Sequence, residues 1–146
     1  MKIYVASSWR NAYQAGVVRL LRGEGYEVYD FLHPHGGEGF KWTKLDANWR
    51  CWSMEKFRMY LGCDYARFGF NRDFNAMKEA DVCVLVLPCG RSAHAEAGWM
   101  SGAGKKVIAY IPSGETIEPE LMYSMFDGIA IGFEEVLEML RMCKNI

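Results

Sequence analysis

Two carboxylates draw attention first. Glu96 sits in Ala-His-Ala-Glu-Ala-Gly, in the first or second turn of a helix that follows the most apolar strand of the chain. Small neighbours leave room for a substrate beside it, and the dipole at a helix N-terminus favours its ionised form. The plainer alternative is a first-turn Glu that only serves its helix. Asp73, in Phe-Asn-Arg-Asp-Phe, lies on the helix leading into the same strand. It either reaches the rim of a pocket or is a solvated carboxylate paired with Arg72 or Lys78. Two carboxylates facing one sugar suit glycosyl transfer, one attacking the anomeric carbon while the other handles a proton.

Around them stand groups that can hold a polar ligand. Ser7, Ser8 and Arg10 follow the first strand and offer hydroxyls, a guanidinium and helix-start N–H groups as a phosphate or hydroxyl cradle. Gly90-Arg91-Ser92 offers a second cradle beside Glu96, and ordinary helix capping is the competing reading for both. Trp9, Phe40, Trp42, Trp49 and Trp52 can stack on a flat base or pack a loop onto the sheet. Met122 and Tyr123, in Glu-Pro-Glu-Leu-Met-Tyr, read as a helix start with core residues. Cys89, His94, His33 and His35 match no zinc spacing, so no metal ligand is assigned.

These residues need a frame, and the periodicity supplies one. Lys2–Ala6 is a β-branched and aromatic run, Tyr13 to Leu21 recurs at helical spacing, and Tyr26–Phe31 is a second strand. Strand, helix, strand with short connections is a βαβ unit, which implies parallel strands joined by a right-handed crossover. His33–Gly62 interrupts the rhythm with aromatics among polar residues, as a functional loop or lid does. Tyr65–Ala80 reads as a helix, and Val82–Leu87 as a central strand covered on both faces. A helix from Ser92 to Gly102 follows with Ser92 as its cap, then a strand Val107–Ile111 and a short helix Glu118–Phe126. A strand Gly128–Ile131 and a helix Phe133–Cys143, with Val136, Leu137 and Leu140 facing in, close the chain. The expectation is a single domain over 1–146, an α/β three-layer sandwich of the flavodoxin or Rossmann type. It has a doubly wound five-stranded parallel sheet and an aromatic-rich insertion after strand 2. Its ligand belongs outside the carboxyl ends of the strands, where Ser7–Arg10, the insertion and Pro88–Glu96 converge.

Composition narrows the partners. The chain of 146 residues is 51% hydrophobic and 24% charged, with a formal net charge of -1. That suits a folded globular domain without the basic field that holds a nucleic-acid backbone, so a small molecule is the expected ligand. Polar residues enter within seven positions of Met1 and no apolar run approaches membrane-spanning length. With five scattered cysteines, this points to a reduced cytoplasmic setting.

Three stretches together resemble the nucleoside 2-deoxyribosyltransferase superfamily: IYVASSW at the start, GFNRDFNAMKEADVCVLVLPCGRSAHAEAGW in the middle and EPELMY near the end. The resemblance implies that Glu96 attacks the anomeric carbon and forms a glycosyl ester. Asp73 then manages the proton of the base, and Tyr4 orients Glu96. In the hydrolase branch, which acts on deoxynucleoside 5′-monophosphates, Ser8 and Arg10 match the phosphate-binding positions, while Trp9 matches a transferase feature. The resemblance also implies an oligomer with shared active sites, Met122 reaching the adjacent subunit's pocket, and no metal or organic cofactor. Transferases commonly end in an aromatic tail, whereas this chain ends Lys144-Asn-Ile146. The expected function is cleavage or transfer at the N-glycosidic bond of a (deoxy)nucleoside or its 5′-monophosphate. A non-catalytic nucleotide sensor and a nicotinamide-releasing dinucleotide glycohydrolase are the alternatives.

Overall fold

The computed structural model describes residues 1–144; Asn145 and Ile146, at the end of the segment compared with the aromatic tail, lie outside the described residues. Five strands form one all-parallel sheet in the order β2-β1-β3-β4-β5: β1 Lys2–Ala6, β2 Glu27–Asp30, β3 Val82–Val86, β4 Lys106–Ile111 and β5 Gly128–Ile131. This is the flavodoxin-like order, with its switch point between β1 and β3.

Side chains alternate across each strand, so each strand feeds two separate cores. Ile3 and Val5, Val82, Val84 and Val86, and Ile108 meet helices α1 (Gln14–Gly23) and α5 (Phe133–Lys144) on one face. Val17, Val18 and Leu21 of α1, and Val136, Leu137 and Leu140 of α5, supply the helical side of that core. Tyr4, Ala6, Cys83, Leu85, Val107 and Ala109 point to the other face, toward α3 (Asp64–Glu79) and α4 (Arg91–Gly102). There Met77, Ala93, Ala97 and Met100 close the second core. The uniform apolarity of β3 follows from burial on both faces, and each such Val or Leu contributes roughly 1.5–3 kcal/mol.

The expected doubly wound sheet is present, with three local differences. The insertion is not featureless: it holds single 3-10 turns at Pro34–Gly36, Trp42–Lys44 and Trp49–Cys51, then helix α2 (Met54–Leu61) capped by the Ser53 hydroxyl. Aromatic side chains hide the helical period there, because they pack on one another rather than on the sheet. The helix expected over Glu118–Phe126 shrinks to a 3-10 turn, Leu121–Met125, since Pro119 stops it on the N-terminal side. Helix α4 starts at Gly90–Arg91 without a side-chain cap, so Ser92 does not cap it. No helix among the described residues is long and apolar enough to cross a membrane.

Candidate active site

The loops leaving β1 and β3 are stitched together by short polar contacts. The Ser7 hydroxyl donates to the Val86 carbonyl at 2.9 Å. Asn11 reaches further: its Nδ2 donates to the Pro88 carbonyl at 2.9 Å, while its Oδ1 accepts from Tyr13 N and Gln14 N at 2.7 and 2.9 Å. Asn11 therefore caps α1 and pins the two loops at the switch point, a role that sequence reasoning missed.

Above this seam lies a cavity of about 490 Å3, large enough for a nucleotide-sized ligand. Glu96 enters it from α4 and Asp73 from α3. Ser7, Trp9, Arg10, Phe40, Trp42 and Ser92, all expected at the site, line it as well. Phe31, Lys41, Thr43, Trp49 and Arg50 complete the wall. Lys41 and Arg50 escaped sequence reasoning because the insertion was read for its aromatics alone.

Four expected residues fall elsewhere. Ser8 and Gly90 line a neighbouring recess shared with Arg10, Asn11 and Cys89, and the Ser8 hydroxyl is occupied by the Arg10 N–H at 3.2 Å. Arg91 is exposed and lines neither cavity, because the first turn of α4 points it outward. Met122 is 54% exposed on the Leu121–Met125 turn and stands apart from the pocket of its own chain.

The aromatic insertion is built as a stack of rings. Phe40 lies 5.0 Å from Tyr65 of α3 and 4.6 Å edge-on from Trp42, which meets Trp52 at 5.6 Å. Trp52 stacks on Tyr60 at 4.4 Å and donates its indole N–H to Asp46 at 2.7 Å. Both readings of the aromatics therefore hold: Trp52 packs the insertion, while Trp9, Phe40, Trp42 and Trp49 present faces or edges to the cavity. Two glycines allow the close approach. A side chain at Gly69 would meet the Phe40 ring at 3.0 Å, and one at Gly39 would run into the Phe31 carbonyl and the Trp9 ring.

Electrostatics couple the two carboxylates. Burial pushes Glu96 up to about 8, the nearby charge of Asp73 adds to this, and the Tyr4 hydroxyl opposes it. Asp73 is also raised, by burial, against the pull of the Tyr29 hydroxyl at 2.6 Å and the Arg72 guanidinium at 3.4 Å. The pair therefore keeps one proton up to about pH 8. Tyr4 is fully buried beneath them, and burial followed by the Glu96 charge keeps its phenol protonated. Its hydroxyl forms no hydrogen bond of full geometry, although it lowers Glu96. The two groups therefore face each other without a formed hydrogen bond. Neither Tyr29 nor Arg72 was singled out from the sequence. The signal was there, since Tyr29 is the third residue of its strand as Tyr4 is of its own, and the two are register partners.

Among the described residues no group of three or more His, Cys, Asp or Glu is arranged to hold a metal ion. Cys89, within 3.6 Å of His94, is pushed up to about 12 by burial and the Glu96 charge. That leaves it a thiol rather than a thiolate nucleophile.

No protein-family model matches the chain, and no curated protein matches it by sequence. Solved structures do. A 2-deoxyribosyltransferase from the psychrotolerant bacterium Bacillus psychrosaccharolyticus superposes with a TM-score of 0.62 at 22% identity, over 93% of this chain and 90% of that one. The CMP N-glycosidase BcmB of Clostridium botulinum superposes with a TM-score of 0.50 at 18% identity, over 97% of this chain and 99% of its own. The likeness is one of fold: this chain has the architecture of that deoxyribosyltransferase and that N-glycosidase along nearly its whole length.

Proposed function

We propose that the protein cleaves or transfers the N-glycosidic bond of a (deoxy)nucleoside 5′-monophosphate, with Glu96 as nucleophile. The observation that carries this is the coupled pair Glu96 and Asp73, sharing one aromatic-walled cavity at the carboxyl ends of β1 and β3. The fold shared with a 2-deoxyribosyltransferase and a CMP N-glycosidase supports the same reading.

A carboxylate oxygen of Glu96 attacks the anomeric carbon as the C1′–N bond breaks. The departing base takes the proton that the pair retains, delivered through Asp73, so it leaves neutral. The product is a glycosyl ester on Glu96. Water or a second base then attacks C1′, breaks the ester and returns a proton to the pair. The buried Tyr4 hydroxyl opposes protonation of Glu96 and so favours its attacking form. Trp9, Phe40, Trp42 and Trp49 would sandwich the base. No metal or organic cofactor enters this scheme.

Phosphate on the substrate is favoured by the charges at the wall. Lys41 is tied to Glu38 at 2.9 Å, but Arg10 and Arg50 have no carboxylate partner among the described residues. Two unpaired guanidiniums beside the carboxylate pair suit an anionic substrate. Ser8 faces its own turn, so Arg10 carries the phosphate contact expected of the pair. The exposed apolar side chains of Phe70, Trp99, Leu121, Met122 and Met125 would be covered in a homo-oligomer, in which Met122 would serve an adjacent pocket.

Chromatography of the protein incubated with each deoxynucleoside and its 5′-monophosphate, with and without a second free base, tests the proposal. Base release from the 5′-monophosphates, or a new nucleotide carrying the added base, is the expected result. Binding without release over hours would instead make the protein a sensor, and release of nicotinamide from a dinucleotide would redirect the substrate.

A further inference from the structure

Tyr29 and Tyr4 are cross-strand partners in the β1–β2 register, and their rings stack at 5.5 Å with 13° between planes. Each ring carries its hydroxyl toward a different carboxylate, Tyr4 toward Glu96 and Tyr29 toward Asp73. The Tyr29 hydroxyl donates to Asp73 Oδ1 at 2.6 Å, the length of a charge-assisted bond. Arg72 Nε donates to the same oxygen at 3.4 Å, and its Nη1 reaches the Glu38 carbonyl at 3.4 Å. Asp73 Oδ2 accepts no hydrogen bond among the described residues.

Tyr29 and Arg72 also line a second cavity of about 520 Å3, which Asp73 does not line. Asp73 itself lines the active cavity with Glu96. Tyr29 is half-buried, and burial with the Asp73 contact holds its phenol protonated, so the bond survives across the working pH range.

We propose that Tyr29 is a positioning residue for the reaction: stacked in register on Tyr4, it fixes one oxygen of Asp73 and leaves the other turned toward the substrate's base. The inference rests on the reading of Glu96 and Asp73 as the working pair. Its consequence is geometric and electrostatic together. The β1–β2 register and the ring stack hold the Tyr29 hydroxyl in place, and through its bond they fix Asp73 Oδ1. The hydroxyl also holds Asp73 more acidic than burial alone would allow. The groups facing Asp73 are Tyr29 from β2, Arg72 beside it on α3, Glu96 from α4 and Tyr4 from β1, with Arg10, Lys41 and Arg50 across the cavity.

The test is Tyr29→Phe, which keeps the ring stack and removes only the hydroxyl. The reaction needs the pair singly protonated, so activity falls on the acid side as the second carboxylate takes a proton. Loss of the hydroxyl raises the proton affinity of Asp73 and moves that acid limb upward in pH. The expected result is a kcat lower by roughly 10- to 100-fold, with KM within about twofold of wild type. Aspartate carboxyls labelled with 13C, titrated by NMR in the intact protein, should show Asp73 titrating at higher pH in the variant. An unchanged Asp73 titration overturns the inference, and so does a raised titration with an unmoved acid limb in active enzyme. If wild-type protein releases no base from any nucleotide, the proposed reaction fails instead, and the titration alone still decides whether Tyr29 governs Asp73.

Discussion

Glu96→Gln should abolish turnover and make the protein more stable, and the size of the gain depends on pH in a way the structure dictates. Folding raises the Glu96 carboxyl from its ordinary 4.5 to about 8. Above 4.5 the unfolded chain releases this proton while the folded chain keeps it, so folding must take up a proton and stability falls as pH rises. The loss begins near pH 4.5, runs at about 1.4 kcal/mol per pH unit, and levels off as Glu96 itself ionises near 8. At pH 7 the full linkage is about 3 kcal/mol, which pocket water and side-chain relaxation reduce to about 1.5 kcal/mol. Gln carries no such cost and has nearly the same shape. The variant should match wild type at pH 4.5 and exceed it at pH 7 by about 1.5 kcal/mol, or roughly 3–6 °C in Tm. Urea unfolding of both proteins at pH 4.5, 6, 7 and 8.5 measures the difference, in which titrating groups not coupled to Glu96 cancel. A difference that stays constant with pH, or a variant less stable at pH 7, would refute the account of Glu96 as a carboxyl held under strain for use.

Three further outcomes follow from the same geometry. The pH profile of kcat should be bell-shaped, with its basic limb near 8, because loss of the shared proton leaves the departing base without an acid; steady-state kinetics from pH 5 to 9.5 would show it. Arg50→Ala should raise KM for a 5′-monophosphate roughly tenfold or more, while leaving the matching nucleoside within about twofold. Gly39→Ala should destabilise the fold by about 2 kcal/mol, because the added methyl runs into the Phe31 carbonyl and the Trp9 ring; denaturant unfolding would measure it, alongside a raised KM as Trp9 is displaced.

Much of this frame was legible in the sequence because it follows from local rules. β1 and β5 were read with the bounds found, since β-branched runs between glycines and polar turns leave little choice. The uniform apolarity of Val82–Val86 announced a strand covered on both faces, and its position located the switch point. Glu96, Asp73, Ser7, Trp9, Arg10, Phe40, Trp42 and Ser92 were then brought to one cavity by topology. What was missed depends on contacts distant along the chain. Helix α2 has no period visible from the sheet, because its partners are the rings of Trp42 and Trp52 inside the insertion. Arg91 and Ser92 are neighbours in sequence, yet only Ser92 faces the cavity, and that depends on the phase in which α4 begins. Asn11 and Tyr29 act on partners more than forty residues away, Pro88 and Asp73, which no local spacing can specify.

The central claim is a covalent bond between Glu96 and the substrate's anomeric carbon. Rapid quenching of the protein with a 5′-monophosphate that it turns over, followed by intact-protein mass spectrometry and peptide mapping, reads that bond directly. The expected result is a transient mass increase of one glycosyl phosphate residue on the peptide containing Glu96, lost on incubation and absent from Glu96→Gln. An adduct on any other residue, or base release with no adduct and a sugar inverted at C1′, would contradict it.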